Sequence, residues 1–205
     1  MKLNWAERLV VNNPVRVMIQ RLIVKWIGRS VAPDPVAKIL EVGCGRGAGA
    51  CLILEKFRPA ALHALDLDHR MIRQALGYLN PEQQRRISLY VGDVFRLPYR
   101  DGALDGVFGF GVLHHLPDWR GGLREIARVL KPGGFYFLEE FYPAFYQNFL
   151  AKRIFLHPEH DRFYSLDLRQ CLEECGLSLH RCLEQKQLGI LAVVTKNAAG
   201  KKGKG

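Results

Sequence analysis

A glycine loop, Gly43-Cys44-Gly45-Arg46-Gly47, lies between a short apolar run, Ile39-Leu40-Glu41-Val42, and a stretch of helical character over 48–57. Glycines at this spacing let the chain turn sharply and let its backbone approach a bound group closely, while the helix start beyond them presents free N–H groups. A strand–glycine loop–helix start is the opening unit of a parallel α/β sheet, and the following residues repeat the alternation. Ala61–Leu65 reads as a second strand and 69–79 as a second helix. Ile87–Val91 reads as a third strand. Leu104–Phe110, after the turn Arg100-Asp101-Gly102, reads as a fourth. Trp119–Leu130 reads as a helix with Asp118 as its N-cap, and Lys131-Pro132-Gly133-Gly134 stops it and leads into a fifth strand, Phe135–Glu139. Strands and helices alternating at this length predict an α/β fold, a parallel sheet with helices on both faces. The end of the chain departs from the pattern. A helix over 166–175 closes at Gly176, and Leu177–Leu183 and Leu188–Thr195 are joined only by Glu184-Gln185-Lys186-Gln187. That link is too short for a parallel crossover and predicts an antiparallel hairpin.

With 205 residues, the length suits one domain that needs no metal or disulfide staple. The net charge of +10 invites a nucleic-acid reading, but the excess sits at the two ends. Residues 1–35 carry net +4 and 196–205 another +4, leaving +2 for residues 36–195. The division expected is therefore an N-terminal basic amphipathic helix or lid over 1–36, a main domain over 37–196 with a substrate-covering insertion at 141–163, and a disordered basic tail over 197–205. Within the first segment Val15, Met18, Ile19, Leu22, Ile23 and Trp26 recur at helical spacing, and Arg21, Lys25 and Arg29 form a stripe on another face. Asn13 and Pro14 suit the helix start, and Pro33 and Pro35 its end. Such a helix either packs on the domain or touches a membrane surface, so residues 14–30 are the place for peripheral membrane contact. The five cysteines contain no C-x-x-C pair, which favours thiols in a reducing cytoplasm over a zinc site, and no run reads as a signal peptide or spanning helix. The expected location is cytoplasmic, with peripheral contact at the inner face of the membrane.

Asp66 ends the second strand, 23 residues after Gly43, where a carboxylate can accept both hydroxyls of a ribose. The loop and this acid also fit NAD, since Gly43-x-Gly45-x-x-Ala48 satisfies the dinucleotide fingerprint. Three features choose S-adenosylmethionine (SAM) instead. Glu41 lies two residues before Gly43, suited to the positive amino-acid end of SAM. Asp93, in Gly92-Asp93-Val94 at the end of the third strand, is suited to an adenine amino group. The terminal hairpin replaces the second mononucleotide-binding half that NAD enzymes use.

On these residues the chain resembles the class I SAM-dependent methyltransferases, in the small-molecule branch that holds the ubiquinone/menaquinone biosynthesis and sterol methyltransferases. The matching stretches are Ile39–Gly47, Ala64-Leu65-Asp66-Leu67-Asp68, Val91–Val94, Phe110–Asp118 and Leu130–Gly134. The resemblance implies a Rossmann-like seven-stranded sheet ordered 3-2-1-4-5-7-6 with strand 7 antiparallel. It implies SAM as cofactor and S-adenosylhomocysteine as product. Gly43, Cys44, Gly45 and Gly47 would line the methionine part, Asp66 the ribose, Leu67 and Met71 the adenine faces, and Asp93 with the Val94 backbone the adenine edge. The Phe110 carbonyl would meet the amino group. Met71 serves equally as plain core, and Asp66 and Asp93 have a rival reading as exposed strand ends.

Catalytic candidates are His114, His115 and Glu140, with the two histidines also readable as shaping the loop below the cofactor. Of Glu139 and Glu140 at the end of the fifth strand, one is expected to face the site. His157, His160 and Asp161 read as a polar insertion, and no metal is expected. Phe141, Tyr142, Phe145, Tyr146 and Phe149 suggest cover for a small hydrophobic, lipid- or quinone-like acceptor. Nucleic-acid amino methylation is disfavoured because Phe110-Gly111-Val112-Leu113 stands where an Asn/Asp-Pro-Pro-Tyr-like run would, and cytosine-C5 chemistry because residues 52–170 hold no cysteine. Other RNA or protein methylation, or SAM binding without turnover, are the alternatives that stay open.

Overall fold

The computed structural model describes residues 13–31, 33–34, 36–146 and 162–198. Strands β1 (Lys38–Val42), β2 (Ala61–Asp66), β3 (Ile87–Val91), β4 (Leu104–Phe110), β5 (Leu130–Phe141), β6 (Leu177–Gln185) and β7 (Gly189–Lys196) form one sheet, ordered β3-β2-β1-β4-β5-β7-β6. The first five strands run parallel; β7 runs antiparallel to both β5 and β6. The helices are α1 (Pro14–Ile27), α2 (Ala48–Phe57), α3 (His69–Tyr78), α4 (Pro81–Arg86), α5 (Trp119–Val129), α6 (Pro143–Tyr146) and α7 (Ser165–Glu174), with a 3-10 turn at Leu113–His115. This is the expected Rossmann-like methyltransferase topology, hairpin included.

Two elements differ from the expectation. Helix α4 escapes a periodicity reading because it is only six residues long, although its Asn80/Gln83 capping box is written in the sequence. Strand β5 is longer than Phe135–Glu139. Leu130 already pairs with Leu104, and the register then jumps so that Phe135 faces Gly106. The Lys131–Gly134 segment is thus looped out within a strand whose two ends pair with β4, with Gly133 at φ +79°.

Alternation along the central strands sorts the core into two layers. Leu40, Val42, Val107 and Leu138 pack with Trp119, Leu123 and Ile126 of α5 and Leu168 and Leu172 of α7. On the other face Ile39, Phe108, Phe110 and Phe137 meet Cys51 and Leu54 of α2 and Ile23, Val24 and Ile27 of α1. The aromatic rings of β5 need space on both faces of the sheet, and β4 supplies it. A Cβ at Gly106 would lie 2.4 Å from the Phe135 ring, and one at Gly109 2.7 Å from the Tyr136 hydroxyl. Gly106→Ala is therefore expected to cost about 1–3 kcal/mol through overpacking, read by urea unfolding; wild-type stability would refute this account of the strand.

Helix α1 begins as expected, with Asn13 accepting from the Val15 N–H and Pro14 at its first position. Its end comes earlier than Pro33, at the Gly28 C-cap. Its orientation corrects the sequence reading. The face turned to the domain is Gln20, Ile23, Val24 and Ile27, whereas Val15, Met18, Ile19 and Leu22 point outward. Trp26 is partly covered by the Arg181 guanidinium, 5.0 Å above its ring, and Arg181 also donates to the Ser30 hydroxyl at 2.9 Å. No helix among the described residues is long and apolar enough to cross a membrane.

Candidate functional site

The carboxyl ends of β1 to β5 converge on one edge of the sheet, where open parallel sheets accept ligands. The loop after β1 uses its glycines for conformation: Gly43, Gly45 and Gly47 sit at φ +65°, +53° and +85°. Gly43 is also held free of a side chain by Val112, whose Cγ2 would lie 2.8 Å from an added Cβ. The loop is tied to β2 by two bonds. The Cys44 N–H donates to the Leu65 carbonyl at 2.9 Å, and the Gly45 N–H to Asp66 Oδ2 at 2.9 Å. Asp66 Oδ1 accepts from the Asp68 N–H at 2.8 Å. Each Asp66 oxygen accepts one amide in this way and retains a further lone pair. Burial pushes the Asp66 carboxyl above its ordinary range, against the lowering effect of those two amides.

Glu41 lies below the loop. Strand alternation turns it towards α2, and Gly49 leaves room for it: a Cβ there would lie 2.0 Å from Glu41 Oε1. Its Oε2 is buried without a hydrogen-bond partner. Desolvation, with Asp66 nearby, raises the Glu41 carboxyl well above the usual value, only partly offset by the Ala50 backbone. The same burial, with Glu41 and Asp66 adding to it, raises the Cys44 thiol, which makes it an inert part of the loop wall. A buried acid with an orphaned oxygen beside a second acid suits a cationic ligand, which would supply the missing partner. The donor set thus fits the amino-acid end of SAM.

The adenine-side candidates are near the ends of β2 and β3. Met71 is fully buried on α3, Leu67 is exposed, and Val94 is buried in the core layer of α5. Asp93 Oδ1 accepts from the Phe95 N–H at 3.0 Å, which turns the chain after β3. Phe110 ends β4 with its ring among Phe108 and Phe137, so only its backbone is available to a ligand; Gly111 follows at φ +74°.

Glu139 and Glu140 divide as alternation requires, but both are committed to protein partners. Glu140 Oε1 accepts from the Val112 N–H (3.1 Å) and the Leu113 N–H (2.9 Å). Its Oε2 accepts from the His114 N–H (3.2 Å) and meets His114 Nδ1 at 2.7 Å. With three amides and a ring nitrogen on one fully buried carboxylate, Glu140 braces the turn below the site. Glu139 pairs with Arg16 of α1 in a two-pronged contact of 2.6 and 2.5 Å. Arg16, 123 residues away in sequence, was not singled out from the sequence, and no local pattern marks it.

A cavity of about 330 Å³ opens beside these two acids, bounded by the apolar Phe141, Leu183, Leu188, Ile190 and Leu191 and by Glu184, Gln185 and Gly189. Phe141 stacks on Phe145 at 4.9 Å. Tyr142, read earlier as part of the covering insertion, is instead core, with its hydroxyl donating to Glu184 at 2.6 Å. Phe149, His157, His160 and Asp161 lie outside the described residues, as does the Tyr146 side chain. Among the described residues no cluster of His, Cys, Asp or Glu is arranged to hold a metal.

Comparison with known proteins agrees with this geometry. Residues 40–138 match the family model described as "Methyltransferase domain". The chain is 31% identical over 112 residues to a sterol 24-C-methyltransferase of Gibberella zeae, covering 54% of this chain and 29% of that protein. It is 34% identical over 108 residues to a fatty-acid O-methyltransferase of Mycolicibacterium smegmatis, covering 53% and 38%. The matched stretch therefore spans about a third of the length of these relatives. A SAM-dependent methyltransferase structure from Aquifex aeolicus superposes with a TM-score of 0.72 at 17% identity, over 95% of this chain and 100% of that one.

Proposed function

We propose that this chain, whose residues 40–138 match a methyltransferase domain model, is a class I enzyme that transfers the methyl group of SAM to a small hydrophobic acceptor, lipid- or quinone-like in character. The observation that carries the cofactor half is the buried Glu41 carboxylate, with Oε2 lacking a partner, under a loop whose glycines are held at positive φ beside Asp66. The acceptor half rests on the cavity at the end of β5, where Phe141, Leu183, Leu188, Ile190 and Leu191 make up half of the boundary beside Glu139, Glu140 and Glu184. The sterol and fatty-acid methyltransferases among the relatives are named for apolar acceptors, in keeping with this choice.

SAM supplies, when bound, a methyl activated on a sulfonium and open to in-line displacement by the acceptor. The residues of this chain bind and orient. Gly43, Cys44, Gly45 and Gly47 would hold the methionine part, with Glu41 and the Phe110 carbonyl meeting its ammonium. Asp66 would take the ribose, and Asp93, the Val94 backbone, Leu67 and Met71 the adenine. Orientation and exclusion of water are the protein's main contribution, worth roughly 7–11 kcal/mol when reactants are well placed. Glu140 is assigned to positioning, since its lone pairs already face four donors. His114, fixed by that carboxylate through Nδ1, is the better-oriented of the candidate bases for an acceptor that arrives protonated.

The direct test is transfer of labelled methyl from SAM to lipid extracts, quinones, amines and RNA, with calorimetry of SAM, S-adenosylhomocysteine and NADH alongside. Labelling confined to apolar acceptors is expected. Tight NADH binding without SAM binding would sink the cofactor assignment, and labelling of RNA alone would sink the acceptor class.

A further inference from the structure

Helix α1 has two apolar faces, and the domain uses one. Ile23, Val24 and Ile27 are buried against α2. About a third of a turn to half a turn away, Val15, Met18, Ile19 and Leu22 are 56%, 59%, 42% and 60% exposed. These four follow the i, i+3, i+4, i+7 pattern of one continuous stripe, which a solvent-facing helix surface has no folding reason to keep apolar. Arg21 and Lys25 run along the border of that stripe, Arg29 follows in the turn just past the helix, and all three are exposed. The segment 13–31 contains no acid, and none of the three cations is paired with a carboxylate among the described residues. The helix is tied to the domain near both ends, by Arg16 on Glu139 and by Arg181 on Trp26 and Ser30.

We propose that α1 docks this chain on an anionic phospholipid bilayer, with Val15, Met18, Ile19 and Leu22 entering the acyl boundary and Arg21, Lys25 and Arg29 meeting the headgroups. An apolar stripe bordered by unpaired cations is the chemistry of an interfacial helix, and it distinguishes a bilayer from a second copy of this chain, which would bring the same cations against themselves. Arg16 connects the docked helix to Glu139 on the wall of the acceptor cavity, so an apolar acceptor would reach the cavity from the bilayer side. That delivery rests on the acceptor reading above; the docking itself does not.

The test is co-sedimentation of the full-length chain with vesicles of phosphatidylglycerol and phosphatidylcholine, and of phosphatidylcholine alone, at low and high salt. Binding to the anionic vesicles is expected, with a loss of roughly tenfold or more in neutral ones or in the charge-reversed Arg21→Glu/Lys25→Glu chain. Met18→Glu/Leu22→Glu is expected to lose about as much. SAM calorimetry on each variant shows that the domain is folded, and keeps failure of docking separate from failure of the methyltransferase reading. Three results would overturn the proposal: no vesicle binding by a SAM-competent wild type; unchanged binding by Met18→Glu/Leu22→Glu, which would leave only a charged surface that RNA could also use; or a dimer in sedimentation velocity that this variant dissociates.

Discussion

Glu41→Gln is expected to weaken SAM binding about ten- to hundredfold while making the ligand-free protein more stable at neutral pH. The first effect follows from loss of a charge-assisted contact, worth roughly 1.5–3 kcal/mol, to the cationic end of the cofactor. The second follows from the energetics of the ligand-free protein. Burial raises the Glu41 carboxyl well above its unfolded value. A group raised in the folded state contributes most below its unfolded pKa and loses that contribution as pH climbs through the folded one. Wild type therefore carries a penalty at pH 7 that an uncharged glutamine of the same shape avoids, on the order of 1–3 kcal/mol. The stability gap should shrink as the pH is lowered towards the ordinary carboxylate range. In the proposed role the cofactor would reverse the preference by binding the ionised form: SAM affinity in wild type should fall with acidification from a pH above that range. Asp66, also raised by burial, moves affinity in the same direction. Calorimetry and thermal unfolding over a pH series read both effects. A variant that binds SAM like wild type would remove Glu41 from the site.

Glu140→Gln is expected to cost about 3–5 kcal/mol, the scale of breaking a buried charged network, and so to lower the melting temperature by roughly 10 °C. The carboxylate is an acceptor facing four donors, and an amide would place an NH₂ group against at least one of them. The damage would not stay local. Val112, one of the donors, is packed so closely on Gly43 that its movement disturbs the glycine loop. Weaker SAM binding should therefore accompany the lower melting point. If the variant melted as wild type and lost only turnover, Glu140 would be a base acting on substrate and the positioning role would be wrong.

The parallel core was legible because its signals are local. Four- to seven-residue apolar strands, glycine and proline stops and a short hairpin link each carry their own physical meaning, and their succession predicts a parallel α/β sheet with a closing antiparallel hairpin; the order of the strands is implied by the family resemblance. Boundaries such as Ala48–Phe57, Ile87–Val91 and Leu104–Phe110 follow from such signals alone. The placement of the glycine loop beside Glu41 and Asp66 was legible for the same reason: these residues lie at strand ends, and strand ends of a parallel sheet come together.

What the sequence determined by itself is therefore the parallel α/β class with its hairpin, the glycine loop and, through the resemblance, the strand order and the cofactor class. Tertiary structure decided the partners of side chains distant in the chain. Alternation predicts that Glu139 and Glu140 face opposite ways; it does not say that one meets Arg16 and the other the turn at 112–114. The apolar periodicity of α1 predicts a helix; which of two apolar faces is buried depends on how α2 presents Cys51 and Leu54 to it. Period and propensity are properties of a segment, whereas burial and ion pairing are properties of a neighbour that the fold alone supplies.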